Sequence, residues 1–335
     1  MSSSKPKIAV LGAGSWGTAL ACLLANNGYT TSLWSHSADH IAQLTATGEN
    51  TRYLPGIQLP ESLLFSSDLE QLCTTHEQFL LVVPSRAFRA TLEKMHAAGI
   101  SDNALIMWGT KGFDAKEQML LSELIQTVLG SSHPLAIVSG PSFAKEVITQ
   151  QPTALTVGAD QVAIAEQVAQ LFHNNYTRVY SNDDIIGVQV GGAVKNIMAI
   201  ACGISDGLGY GANSKAALIT RGLAEITRLG LLLGAQAETF QGLSGVGDLV
   251  LTCTDDKSRN RRFGLGIGQG RSIAEMQQDI GQEVEGLVTS KEVFLLAQRY
   301  DIEMPICEQV YNVLYKGISP ETAVQSLLKR SRAKE

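Results

Sequence analysis

The sequence predicts an α/β N-terminal domain with a parallel-rich sheet, residues 1–188, followed by an all-α C-terminal domain, residues 189–335. Three observations predict it. In the first half, short apolar runs alternate with helix-length segments. The runs are continuous rather than alternating, as in parallel strands buried on both faces. Beyond about Asp184 the strand signals stop and helix signals take over. A length of 335 residues also suits two domains of ~100–200 residues each.

Each element has its own signal. KIAVLG (7–12) reads as the first strand, and 16–27 as a helix closed by Gly28. The segment TTSLWS (30–35) reads as a second strand and 38–46 as a second helix. Four more strands are read at FLLVVP (79–84), ALIMWG (104–109), LAIVSG (135–140) and ALTVGA (154–159), with helices at 87–97 and 116–129 between them. In the second half, helices are read at 212–230, 288–299, 306–315 behind Pro305, and 322–329 behind Ser319 and Pro320. Ser272 and Glu275 match a capping box. The closing KRSRAK (329–334) reads as a solvated helix end rather than a nucleic-acid patch.

Composition narrows the function. Hydrophobic residues make up 44% and charged residues 17%, which excludes a disordered chain. The net charge of −6 disfavours nucleic acid and anionic membranes as partners, so any phosphate site is local. The five cysteines, with no CxxC pair, point to a reducing cytoplasmic setting and no structural zinc. His36 and His40 have helical ligand spacing but no third partner, and no metal is expected. Residues 5–25 resemble a signal peptide superficially, but Gly12, Gly14 and Gly17 interrupt the apolar stretch. No run approaches the ~18 apolar residues of a membrane span.

The glycine loop is the first chemical signal. Gly12, Gly14 and Gly17, in GAGSWG, follow a strand and open a helix. That is the context in which glycines let the backbone turn tightly and approach a dinucleotide pyrophosphate, with the helix N-terminus facing the anion. At the end of the second strand, where an NAD site usually carries Asp or Glu, stand Ser35 and His36. This favours NADP(H) or at least tolerates it; nearby Asp39 keeps NAD(H) open.

Acid–base candidates follow by elimination. All six histidines lie within residues 1–188, so an acid from the helical domain is not histidine. Lys195, in the nearly uncharged VGGAVKN (190–196), is the leading candidate, with a lysine snorkelling from a helix as the alternative. Asp248 either pairs with Lys195 or caps a helix. Lys111 follows a strand, as do Gly140 and Ser142. Arg259, Arg261 and Arg262 around Asn260 read either as a phosphate clamp or as a solvated basic loop.

Taken together, GAGSWGTA (12–19), NTRYLPG (50–56), WGTKG (108–112), SGPSFAKEV (139–147), VGGAVKN, GLSGVGDLVLTC (242–253) and SRNRRFG (258–264) resemble the bacterial-type NAD(P)-dependent glycerol-3-phosphate dehydrogenases over roughly residues 8–315. The resemblance implies a Rossmann-type cofactor domain, a helical substrate domain, and reversible conversion of dihydroxyacetone phosphate to sn-glycerol 3-phosphate for glycerophospholipid synthesis. It implies cofactor contacts at Ser15, Trp16, His36, Tyr53, Lys111, Ala144, Arg259 and Glu285, beside the loop glycines. Substrate contacts are implied at Lys111, Gly140, Ser142, Lys195, Asp248, Ser258, Arg259 and Asn260, with Lys195 catalytic and Asp248 beside it. Glu283 departs from the family pattern, so only a backbone contact is expected there. Two competing readings are a related dehydrogenase of 3-hydroxy acids and an NADPH-binding sensor without activity. Apolar helices in the second domain suggest a homodimer.

Overall fold

The computed structural model describes residues 5–330, so residues 331–334 of the basic tail lie outside the described residues. In chain order the elements are β1 (Lys7–Leu11), α1 (Ser15–Asn26), β2 (Thr30–Trp34), α2 (Ala38–Thr47), β3 (Leu64–Ser66), α3 (Leu69–Thr75), β4 (Gln78–Leu81), α4 (Ser85–Ala97), β5 (Leu105–Trp108), α5 (Leu121–Leu129), β6 (Leu135–Ser139), α6 (Ala144–Ile148), β7 (Thr153–Ala159), α7 (Val162–Phe172) and β8 (Thr177–Asn182). Helices follow: α8 (Ile185–Gly207), α9 (Ala212–Leu232), α10 (Asp248–Thr254), α11 (Arg259–Gly268), α12 (Ile273–Ile280), α13 (Glu285–Arg299), α14 (Pro305–Lys316) and α15 (Pro320–Leu328). The chain forms two compact units. One holds the chain up to Asp114 with Met119–Val188; the other holds Ala115–Gln118 and the chain from Gln189 onward.

The first unit is an eight-stranded sheet ordered β3-β2-β1-β4-β5-β6-β7-β8, parallel except where β7 meets β6. Its layering follows from strand periodicity. Ile8 and Val10 of β1 enter a core with Leu20, Leu24, Met107 and Phe172, while Ala9 and Leu11 enter an opposite core with Phe79, Phe88, Leu92 and Trp108. The apolar segment that resembles a signal peptide is therefore β1 and the buried helix α1. Two strands escape a reading of apolar runs, β3 and β8. Both lie at sheet edges and are half exposed, so their sequences, LFS and TRVYSN, carry no apolar run.

A helix over 116–129 is corrected: α5 starts only at Leu121. Gln118 has φ 50°, which interrupts a helix, and Glu123 Oε2 accepts the Leu120 N–H at 2.9 Å to start a new one. Residues 115–118 also leave the first domain as drawn from sequence. Arg299 of α13 donates to the Glu117 carbonyl at 3.0 Å and to Gln118 Oε1 at 2.9 Å, so this turn packs with the helical unit.

The second unit is helical around α8. Although Gln189, Lys195 and Asn196 interrupt its apolar residues, the 23-residue α8 is long and, on average, apolar enough to cross a membrane. It is instead a core helix, with nearly every residue from Val188 to Ile204 buried. Ser319 and Ser272 cap α15 and α12 as their sequences suggest, Ser272 with a full capping box to Glu275. Lys329 closes α15.

One buried carboxylate has a measurable consequence. Glu225 of α9, 3% exposed, accepts the Ile306 and Cys307 N–H groups at 2.7 and 3.1 Å and so caps α14. Burial pushes its carboxyl up to about 7 from 4.5, against the lowering effect of those hydrogen bonds and Arg228. The native state therefore holds a proton that the unfolded chain has released between these two values. Stability falls as pH rises from about 4.5 to 7 and stays lower above, by roughly 3 kcal/mol in all. Urea unfolding should show this slope in the wild type and not in Glu225→Gln. A slope that persists in the variant would assign it to another group.

Candidate active site

The sheet edge at the ends of β1, β4, β5 and β6 gathers the first set of residues. Order reverses between β1 and β4, which is where α/β sheets open a ligand crevice. Gly12 follows β1 with φ +124°, and a β-carbon there would lie 2.5 Å from the Val82 carbonyl oxygen. A β-carbon on Gly17 would overlap the Gly12 carbonyl, so that glycine lets α1 sit against the strand. Gly14, the N-cap of α1, has open space where its side chain would be, and neither a side-chain cap nor an acidic residue occupies the first turn. This fits the pyrophosphate of a dinucleotide: a helix start without a side-chain cap, a positive dipole end and room for close approach.

Neighbouring groups converge on the loop. The Trp16 indole rests on Gly109, where a β-carbon would sit 2.9 Å from Nε1, and this buried N–H has no protein acceptor among the described residues. Thr110 donates to the Val83 carbonyl at 2.7 Å, and buried Asp114 forms a two-point ion pair with Arg89 at 2.6 and 3.0 Å. Lys111 is half-buried between these anchors, three residues past β5. At the end of β6, Gly140 has φ +114° and its carbonyl accepts from Ser142 Oγ at 3.0 Å; Ala144 then opens α6.

Asn50 was not singled out in the sequence, yet it ties this end together. Fully buried, it donates to the Ala13 carbonyl at 3.0 Å and to Thr18 Oγ1 at 2.8 Å, and its Oδ1 meets His40 Nε2 at 3.2 Å. His40 in turn packs against Tyr53 with ring centroids 5.7 Å apart. Of the two groups read as phosphate partners after β2, His36 is exposed beside Trp34. Ser35 is buried, and its hydroxyl accepts the Ser37 N–H at 3.3 Å.

The second unit holds the second set. Lys195 of α8, 6% exposed, donates to Asp248 Oδ1 and to Thr252 Oγ1, the latter at 2.8 Å. Asp248 and Thr252 lie four apart on one face of α10, and both are buried. The lysine is thus a buried ion pair rather than a snorkelling side chain, and Asp248 pairs with it rather than capping a helix. Thr252 was not singled out in the sequence; its spacing of four from Asp248 on one helix is the signal that would have found it. One residue on, a hydrogen bond to Cys202 and burial push the Cys253 thiol well above its ordinary range, so these neighbouring thiols are packing groups.

The basic cluster divides. Ser258 caps α11 by accepting the Arg261 N–H at 3.2 Å. Arg259 donates to Gln282 Oε1 at 3.1 Å. Asn260 donates to Asn196 Oδ1 and accepts the Gly286 N–H, each at 2.9 Å. These bonds bring Arg259 and Asn260 beside Glu283 and Glu285. A clamp of three arginines is corrected: Arg261 is buried and ion-paired with Asp206 at 2.6 Å and with Asp256, and Arg262 is exposed. Asn196, directly after Lys195, was also not singled out in the sequence.

Two family models match along the chain, the N-terminus of NAD-dependent glycerol-3-phosphate dehydrogenase over residues 7–165 and its C-terminus over 184–325. The chain belongs to this family. A glycerol-3-phosphate dehydrogenase, NAD(P)+, of Methylococcus capsulatus is 52% identical over 324 residues, covering 96% of both chains. One from Pseudoalteromonas translucida is 50% identical over 336 residues, covering both chains completely. The crystal structure of the Coxiella burnetii glycerol-3-phosphate dehydrogenase superposes with a TM-score of 0.94 at 48% identity, covering 98% of this chain and 100% of that one. These likenesses span both units, so the Rossmann-type sheet and the helical domain are the family fold.

Proposed function

We propose that this enzyme reduces dihydroxyacetone phosphate to sn-glycerol 3-phosphate with NADPH or NADH in the cytoplasm, supplying glycerophospholipid synthesis, and that it works as a homodimer. The observation that carries this reading is the buried Lys195–Asp248 pair, a fixed ammonium beside a helix that begins with Ser258, Arg259 and Asn260.

The 1–188 domain holds the dinucleotide through Gly12, Gly14, Ser15, Trp16 and Gly17, with His36, Tyr53, Lys111 and Ala144 around it. Of the 189–335 domain, Arg259, Glu285 and the backbone of Glu283 are the cofactor contacts. When bound, the nicotinamide supplies or takes up the hydride. The protein handles the proton and the phosphate. Lys195, oriented by Asp248 Oδ1 and Thr252 Oγ1, hydrogen-bonds the substrate carbonyl oxygen and gives it a proton as it becomes a hydroxyl. Asp248 fixes the ammonium and balances its charge. Arg259 binds the phosphate, aided by the Asn260 amide hydrogen that Asn196 does not take and by the Ser258 hydroxyl; Lys111, Gly140 and Ser142 are the further substrate contacts that the family pattern implies.

The test is NADPH consumption with dihydroxyacetone phosphate beside unphosphorylated dihydroxyacetone. Rapid loss with the phosphorylated ketone alone is expected; no loss with either would overturn the reading. Arg259→Ala should raise KM for the phosphorylated ketone about ten- to a hundredfold, since a charged hydrogen bond contributes ~1.5–3 kcal/mol.

A further inference from the structure

Helices α8 and α11 meet without side chains between their backbones. A β-carbon on Gly264 would overlap the Ile200 carbonyl oxygen and lie 2.9 Å from Ile200 Cα. One turn on, a β-carbon on Gly268 would overlap the Ile204 carbonyl oxygen. From the other side, Gly203 would strike the Arg261 carbonyl oxygen and come within 2.7 Å of Leu265 N, and Gly207 would come within 2.8 Å of Gly268 Cα. The register is constant: Asn196 bonds Asn260, Ile200 faces Gly264 and Ile204 faces Gly268, in steps of four along both helices. A G-x-x-x-G spacing on each helix thus lets two parallel helices approach more closely than side-chain packing allows.

The same device brings in the other site elements. A β-carbon on Gly191, one turn before Lys195, would overlap the carbonyl oxygen of Ser244, one turn before Asp248. A β-carbon on Gly286, one residue after Glu285, would lie 2.6 Å from the Asn196 carbonyl oxygen. Helix α11, the start of α13 and the turn before α10 therefore each reach α8 through a contact between main chains. Such contacts have no rotamers through which to relax, so the spacing between Lys195 and Arg259 is fixed by backbone rather than by adaptable side chains.

Resting on the roles proposed for Lys195 and Arg259, we infer that the interlocked glycines Gly203, Gly207, Gly264 and Gly268 are a ruler that sets the distance between proton donor and phosphate clamp, and so selects the carbon count between carbonyl and phosphate. They are positioning residues; none touches the reacting atoms.

The test compares dihydroxyacetone phosphate with 1-hydroxybutan-2-one 4-phosphate, which adds one methylene between carbonyl and phosphate. The wild-type enzyme should favour the shorter ketone in kcat/KM by ~10- to 200-fold, the range for one methylene in a rigid site. Gly264→Ala, which wedges the helices apart at the clamp end, should raise KM for dihydroxyacetone phosphate by about 100-fold, as ~1 Å of misplacement does. It should also narrow the preference for the shorter ketone and raise the KM for NADPH by less than that for dihydroxyacetone phosphate, because Arg259 is only one of many cofactor contacts. Gly222→Ala is the control, since its β-carbon would meet the movable Met198 Sδ at 2.7 Å on the α9 side of α8; it should keep the wild-type preference. Equal use of both ketones by the wild type overturns the ruler even if Gly264→Ala fails to fold, as does an unchanged preference in a folded Gly264→Ala. A wild type that consumes neither ketone overturns the functional reading instead.

Discussion

Lys195→Ala should lose ~100- to 10,000-fold in turnover with dihydroxyacetone phosphate while binding NADPH as the wild type does. The loss has one chemical origin: the alkoxide formed at the former carbonyl has no proton donor. The variant has a second, separable defect. Asp248 is 1% exposed, so removing its partner strands a buried carboxylate, and breaking a buried pair costs ~3–5 kcal/mol. The double variant Lys195→Met with Asp248→Asn removes both charges and keeps the volume. It should regain most of the lost stability in urea unfolding and none of the activity. Recovered activity, or near-normal turnover in Lys195→Ala, would remove Lys195 from its role. The two reaction directions should also respond oppositely to pH. Ketone reduction uses the ammonium and slows as alkali removes its proton, whereas glycerol phosphate oxidation needs the neutral amine and quickens. Initial rates in both directions across neutral to alkaline pH check this.

How much of this was legible in the sequence depends on whether a signal is local. Gly12, Gly14 and Gly17 were readable because the turn, the strand and the helix that give them meaning all lie within residues 7–26. Lys195 stood out because its surroundings carry no other charge. Asn50 was hidden: an Asn before Thr and Arg looks like an ordinary turn residue, and its hydrogen bonds run to Ala13 and Thr18, more than thirty residues away. The split of the arginine cluster was hidden for the same reason, since Asp206 reaches Arg261 from across the helical unit. Edge strands β3 and β8 lacked the apolar runs that marked the buried strands. The glycines of α8 and α11 read as weak points of a helix by propensity, about 1 kcal/mol each against alanine. Only the register between the two helices shows what they permit.

The two glycines of the cofactor loop should fail in different ways when given the same methyl group. Gly12→Ala places a β-carbon 2.5 Å from the Val82 carbonyl oxygen at φ +124°, a conformation that costs an L-residue ~1–3 kcal/mol before any overlap is counted. Neither strain depends on cofactor, so the variant should unfold at markedly lower urea with or without NADPH. Gly14→Ala meets no protein atom within 4 Å and has φ −76°, which alanine adopts freely. The apo protein should therefore unfold within about 0.5 kcal/mol of wild type, as substitutions in open positions do. With the dinucleotide held as proposed, the new methyl would stand where the pyrophosphate approaches the start of α1 and would force it away from the helix N–H groups. Losing one such charged hydrogen bond should weaken NADPH about ten- to a hundredfold. Fluorescence titration with NADPH beside urea unfolding of both variants separates the two effects. If Gly14→Ala binds NADPH as tightly as wild type, the pyrophosphate does not pass over Gly14; if it unfolds as readily as Gly12→Ala, Gly14 serves the fold rather than the cofactor.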